Sequence, residues 1–237
     1  MPKVGLRLLE LTGLAAHLPC VIQTPLFPDQ QLVLAYARAQ DRDVLTALFQ
    51  IDAHLGAMAL SAREPMVTRI KLAWWQEQGF AKARPVNDLD DAIRQIEVRV
   101  PGCHGLLAQL AEGWGVFLEF EEEGEASLNA SAELRGPALF GLAAAAAGVT
   151  LTEAQKSASI AWALVDLARK CGSDEALAKA RDVYSGLHGT SQAMPVRILS
   201  LLSALARNDA ARGLNDAVPL GSPLRIVRTL WFFLTRR

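Results

Sequence analysis

The chain has little equipment for holding a soft metal or a disulfide. Its three cysteines, Cys20, Cys103 and Cys171, are odd in number, far apart and without a CxxC pair. That spacing excludes a disulfide framework and a cysteine-built zinc site, and it predicts reduced thiols in a cytoplasmic compartment. The four histidines, His17, His54, His104 and His188, are equally scattered, with no HxxxH or HExxH pair to set two imidazoles on one helical face. An excess of one charge is also missing. With 24 basic and 25 acidic residues the formal net charge is -1, which argues against a general nucleic-acid binder. No later uncharged run is long enough to span a membrane: the longest, GPALFGLAAAAAGVTLT at 136–152, is rich in alanine and glycine and contains Pro137, the composition of a tightly packed core helix. At the start of the chain, Glu10 interrupts an apolar stretch and Pro19 ends it, which speaks against a cleaved signal.

Period-two alternation rich in β-branched residues is nearly absent, while apolar residues recur three and four apart almost everywhere, so the expected fold is all-α. The punctuation places the helices. Asp29 is expected to cap one running through Ala39, and Asp41 to start the next, with Leu45, Leu48, Ile51, Leu55 and Met58 as its inner stripe. Pro65 suits the first turn of a third helix that aligns Val67, Ile70 and Trp74 and stops at Gly79. Acids fill the first turn of a fourth, with Leu89, Ile93 and Ile96 inward and Pro101 as a stop. A fifth carries Leu106, Leu107, Leu110, Trp114, Phe117 and Leu118, and the EFEEEGE at its end reads as a solvated face and turn. Ser131 is expected to open the alanine-rich helix and Gly148 to close it. TEAQ at 152–155 reads as a capping box for a helix reaching Cys171. Further helices are expected after Ser173, near 191–207 and at 223–236. No repeat or linker divides residues 1–237, which are read as a single domain.

Two segments in this order carry a resemblance. DRDVLTALFQIDAHLGAM leading into EPMVTRIKLAWWQE, with Arg42, the Leu48 and Phe49 pair, Glu64 with Pro65, and the run from Leu72 to Trp75, resembles the first conserved block of the squalene/phytoene synthase family. ASIAWALVDLARKCGSDEALAKARDVY at 158–184 resembles the block carrying the family's second acidic motif. The resemblance implies the isoprenoid synthase fold, a helical bundle around a central cavity. It also implies condensation of prenyl diphosphates with magnesium bridging the diphosphate to carboxylates on two facing helices. Such chemistry needs oxygen ligands, and acids four apart on a helix share one face.

Here those acids are largely missing. Laid against the first motif, FCRxxDDxxD, the chain has Gly56 and Ala57 at the adjacent acids and Leu60 at the last. Asp52 lies one turn before Gly56 and reads as a hydrogen-bonded helix polar residue, since one carboxylate rarely holds magnesium alone. Against the second motif, NxxRDxxED, stand Asp166, Arg169, Lys170, Ser173 and Asp174. Lys170 sets a cation where a ligand belongs; it either pairs with Asp166 or Asp174 or faces water. The resemblance is therefore to a degenerate branch of the family, the branch that includes respiratory complex I assembly factors.

The expected function is a non-catalytic binding or assembly factor, cytoplasmic or peripheral to the inner membrane, whose partner is an inner-membrane protein complex. The alternatives are a prenyltransferase or a carrier, with a prenyl lipid or prenyl diphosphate as ligand. No cofactor is expected, magnesium entering only with the prenyltransferase. Gln50, His54, Asp166, Arg169, Lys170 and Asp174 are the candidate pocket residues, lining a cavity between 45–60 and 158–171. At the end of the chain, SPLRIVRTLWFFLTRR has four arginines and no acid. Arg225, Arg228 and Arg236 share one sector there, against Leu224, Val227, Leu230, Trp231, Phe233 and Leu234. It reads either as a core helix with its arginines in solvent or as a membrane-facing helix.

Overall fold

In a computed structural model, residues 24–187 and 194–235 are described; the opening segment with His17 and Cys20, and also His188 and Arg236, lie outside the described residues. The described residues form eleven α-helices and no strand. They are α1 (Pro28–Leu34), α2 (Ala39–Leu60), α3 (Pro65–Trp74), α4 (Asp90–Arg99), α5 (His104–Phe117), α6 (Phe120–Glu123), α7 (Glu125–Ala146), α8 (Glu153–Cys171), α9 (Asp174–Gly186), α10 (Arg197–Arg212) and α11 (Pro223–Thr235). The all-α expectation holds.

Several boundaries follow the expected chemistry. Pro65 begins α3 behind Glu64, and Thr152 and Gln155 form a reciprocal capping box at the start of α8, which ends at Gly172 with a left-handed φ of 76°. Other boundaries differ for identifiable reasons. Asp29 caps nothing; it sits in the first turn of α1, its carboxylate turned to Arg225, and α1 stops at Leu34. The alanine-rich helix starts at Glu125, and Ser131 lies buried within it because its hydroxyl donates to the Gly113 carbonyl at 2.7 Å. The third helix turns its expected stripe outward: Val67, Ile70 and Trp74 are exposed, whereas Thr68, Leu72 and Trp75 are buried. A π-helical turn, Trp75–Gly79, follows, with the two tryptophans edge to face at 5.1 Å.

The centre of the bundle is α7, packed against α5, α8, α2 and α9. One hydrophobic cluster runs from α1 through α10 and includes Leu107, Leu139, Phe140 and Leu164. Close helix contact requires small residues. A Cβ added at Gly136 would lie 2.3 Å from the Ser159 carbonyl oxygen, so α7 and α8 touch backbone to backbone there. That approach fixes the position of Arg135, one residue earlier in α7.

Candidate functional site

Arg135 is fully buried, and an unpaired guanidinium in such a place is not tolerated. Its Nε and Nη2 donate to the two oxygens of Asp52 at 2.8 and 2.9 Å, a bidentate pair, and its Nη1 donates to Asp166 Oδ2 at 2.6 Å. Asp52, equally buried on α2, also accepts from Trp114 Nε1 at 2.9 Å and from Gln30 Nε2 at 2.5 Å. The other oxygen of Asp166 accepts from Lys170, one turn on in α8. Rings of Trp114 and Trp162 lie 4.3 and 4.9 Å from the guanidinium carbon, and Lys170 Nζ stands 4.0 Å from the Phe27 ring centroid. Two cations and two carboxylates thus form a desolvated network linking α2, α7 and α8, with charge-assisted bonds of the strongest kind.

A second network lies beside it. Asp209 on α10 accepts from Arg169 and from both terminal nitrogens of Arg225, at 3.1 and 2.8 Å for the latter. Arg225 also donates through Nε to Asp29 at 2.5 Å. The Val218 carbonyl accepts from Arg169 and Arg225 at 3.1 and 3.2 Å. Between the two networks remains a cavity of about 50 Å³, too small for a prenyl chain.

Of the expected pocket residues, Asp166, Arg169 and Lys170 come together around this cavity. The others do not. His54 packs edge to face on Trp75 at 5.8 Å, and burial lowers its pKa against the pull of Asp88. Gln50 is half-buried on α2 away from the networks, and Asp174 is exposed in the first turn of α9. Between 45–60 and 158–171, where a cavity is expected, stands Arg135, bridging Asp52 and Asp166 beside Trp114 and Trp162. Lys170 takes Asp166 as its partner, and Asp52 is a hydrogen-bonded helix residue.

The residues do not fit the magnesium that the resemblance implies. A Cβ at Gly56 would stand 2.7 Å from both Phe27 and Trp114. Leu60, at the end of α2, is exposed, and Ala57 offers no donor. Every carboxylate oxygen of Asp52 and Asp166 already accepts from a protein cation or N–H. A cation introduced between them would first have to displace Arg135.

The electrostatics set an acid limit. Burial alone raises the Asp166 pKa, but Lys170 and Arg135 outweigh it and hold the carboxyl at about 2. The same carboxylates push the Arg135 guanidinium upward against its burial, whereas burial lowers Lys170 against Asp166. A depressed carboxyl pKa means that the unfolded chain binds the proton first as pH falls. The contribution is therefore complete above the unfolded value near 4 and is lost as pH drops through about 2, amounting to about 2 kcal/mol. Urea unfolding at pH 5 and at pH 2.5 is expected to show that loss in the native protein. In Asp166→Asn the same step should be smaller; an identical loss in both would remove Asp166 as the acid-labile group.

Arg135 was readable in principle. It is the lone cation in the buried middle of an alanine-rich helix, and Asp52 has no cation three or four residues away on its own helix. Both thus needed a partner on another helix. Cys103 and Cys171 are free, and burial raises both thiols. Among the described residues, no helix is long and apolar enough to cross a membrane. Comparison of the chain with protein-family models, with curated proteins and with solved structures finds no match.

Proposed function

We propose that the chain is a non-catalytic protein on an isoprenoid-synthase-like frame, acting as a binding or assembly factor at the surface of a membrane. The observation that carries this reading is the orientation of α11. An amphipathic terminal helix normally buries its apolar face. Here Arg225 and Thr229 face the domain, with Arg225 1% exposed, while Leu224, Ile226, Val227, Leu230, Trp231 and Leu234 point outward. Trp231 is 63% and Leu234 68% exposed. Of the two orientations expected for this helix, core packing with Arg225 in solvent is the one inverted: Asp29 and Asp209 draw the guanidinium inward and turn the apolar sector out.

A lipid interface suits that sector. Interfacial helices insert a face of this kind, with tryptophan at head-group level, and anionic lipids attract nearby arginines. Besides the paired Arg225, the segment 223–237 supplies three arginines and no acid. The absence of prenyl transfer is supported by the occupied oxygens of Asp52 and Asp166. An inner-membrane protein complex is the assembly partner that this reading places beside the membrane.

Two measurements test it. Full-length protein should float with vesicles containing anionic lipid, and Trp231→Glu/Leu234→Glu should not, since burial of each large apolar side chain is worth about 1.5–3 kcal/mol. Both substitutions lie on the exposed face and leave Arg225 paired, unlike removal of the whole helix. Equal flotation of the two proteins rejects lipid as the covering surface. Pyrophosphate release from farnesyl diphosphate with magnesium should stay at the level of heat-killed protein; release well above it would restore the prenyltransferase.

A further inference from the structure

A larger space than the one between the charge networks lies elsewhere and shares no lining residue with either network. A pocket of about 830 Å³ opens between the end of α1, the start of α2, the end of α7, α10 and α11. Its walls are mixed: Leu201 comes from α10, and Phe232 and Phe233 come from α11, with the Phe233 ring 4.8 Å from that of Tyr36, while Ser200 and Ser203 of α10 add hydroxyls. Arg38 and Arg197 stand exposed at its rim and Arg207 also lines it. The Arg197 guanidinium carbon lies over Phe233, 3.4 Å from the ring centroid. Among the described residues of the lining the one acid, Asp41, is paired with Arg99 at 3.2 Å. The pocket therefore joins an interior with apolar and aromatic surface to a positively charged mouth.

We propose that this pocket binds an anionic amphiphile, a single apolar chain ending in a carboxylate or phosphate. The volume is that of sites which enclose a small molecule, and such sites combine apolar walls with a few convergent polar groups. A chain of methylene or isoprene units fills the interior, where displaced water supplies the affinity. The guanidinium groups at the rim recognise the head, because arginine matches the oxygens of carboxylate and phosphate alike. An uncharged head offers Arg38 no counter-charge, while Arg197 keeps its bond to the Phe233 carbonyl. The proposal uses neither the outer face of α11 nor the Arg135 network, and it stands whether or not the protein meets a membrane.

The test uses the full-length protein without vesicles. cis-Parinaric acid should bind saturably, with a rise in its fluorescence, and its methyl ester should bind about tenfold or more weakly, the loss of one charge-assisted contact. Dodecyl phosphate should displace the acid if the head can be a phosphate, and oleate if it can be a carboxylate; displacement by either supports the site. Inorganic phosphate alone should not displace it. Arg38→Glu should weaken the acid about tenfold and leave the ester unchanged. Ala204→Trp, which fills the pocket from α10, should abolish both. If that variant does not fold, Ala147→Phe blocks the α7 side. Equal affinity for acid and ester, unaltered binding in a folded occluded variant, or displacement by inorganic phosphate alone would overturn the proposal.

Discussion

Replacing Arg135 by Met is expected to remove about 3–5 kcal/mol of folding stability, the cost of stranding a buried charge. Thermal unfolding should fall by roughly 6–20 °C for a chain of this size. The loss comes from what remains behind. Asp52 is fully buried and loses a bidentate partner, keeping only the Trp114 and Gln30 donors, and Asp166 is left to Lys170 alone. Methionine fills much of the volume between Trp114 and Trp162, so a cavity is not the main term. A second substitution separates charge from packing. In Asp52→Leu/Arg135→Met no carboxylate is stranded on α2, and the double variant should be more stable than Arg135→Met alone. Recovery should be partial, because the indole N–H of Trp114 and the amide of Gln30 lose their acceptor. Additive losses in the two single variants and the double would mean that Arg135 acts through its aromatic stacking and not through Asp52.

What the sequence made legible divides along periodicity. Helix class, the inner stripe of α2 through Leu45, Leu48, Ile51 and Leu55, the α4 stripe and the capping box at Thr152 follow from local spacing, and local forces decide them. The site was half visible. Asp166 with Lys170 is an i to i+4 pair on one helix, and spacing alone connects them. Arg135 to Asp52 spans 83 residues, and no spacing rule connects two helices that far apart. The α3 face is turned opposite to the expectation, and the α11 face is left open between two orientations, for one reason: periodicity finds the apolar sector of a helix but not its direction. On α11 the hydrophobic sector is the stronger signal in the sequence, yet the partners on α1 and α10 are carboxylates, and they select the arginine side.

The same logic makes Asp209 the residue on which the seating of α11 depends. Asp209→Ala is expected to cost about 3–5 kcal/mol, since it leaves two arginines in a desolvated site with one remaining carboxylate. Asp209 is 1% exposed and serves Arg169 and Arg225 together; without it Arg225 keeps Asp29 and the Val218 carbonyl, and Arg169 keeps only that carbonyl. Apolar contact does little to hold the helix in compensation, because only Phe232 and Phe233 of α11 pack against the hydrophobic cluster. Loss of stability should thus be local before it is global. Hydrogen exchange should show α11 amides losing protection in Asp209→Ala while α5 and α7 keep theirs, and proteolysis should begin in the 213–222 connection. Asp209→Asn keeps an acceptor and the side-chain volume but not the charge, and should fall between the native protein and the alanine variant. Uniform loss of protection across α7 and α11 would show that the ionic seat is part of the core's cooperative unit; unchanged protection of α11 would show that its orientation is set by Phe232 and Phe233 instead.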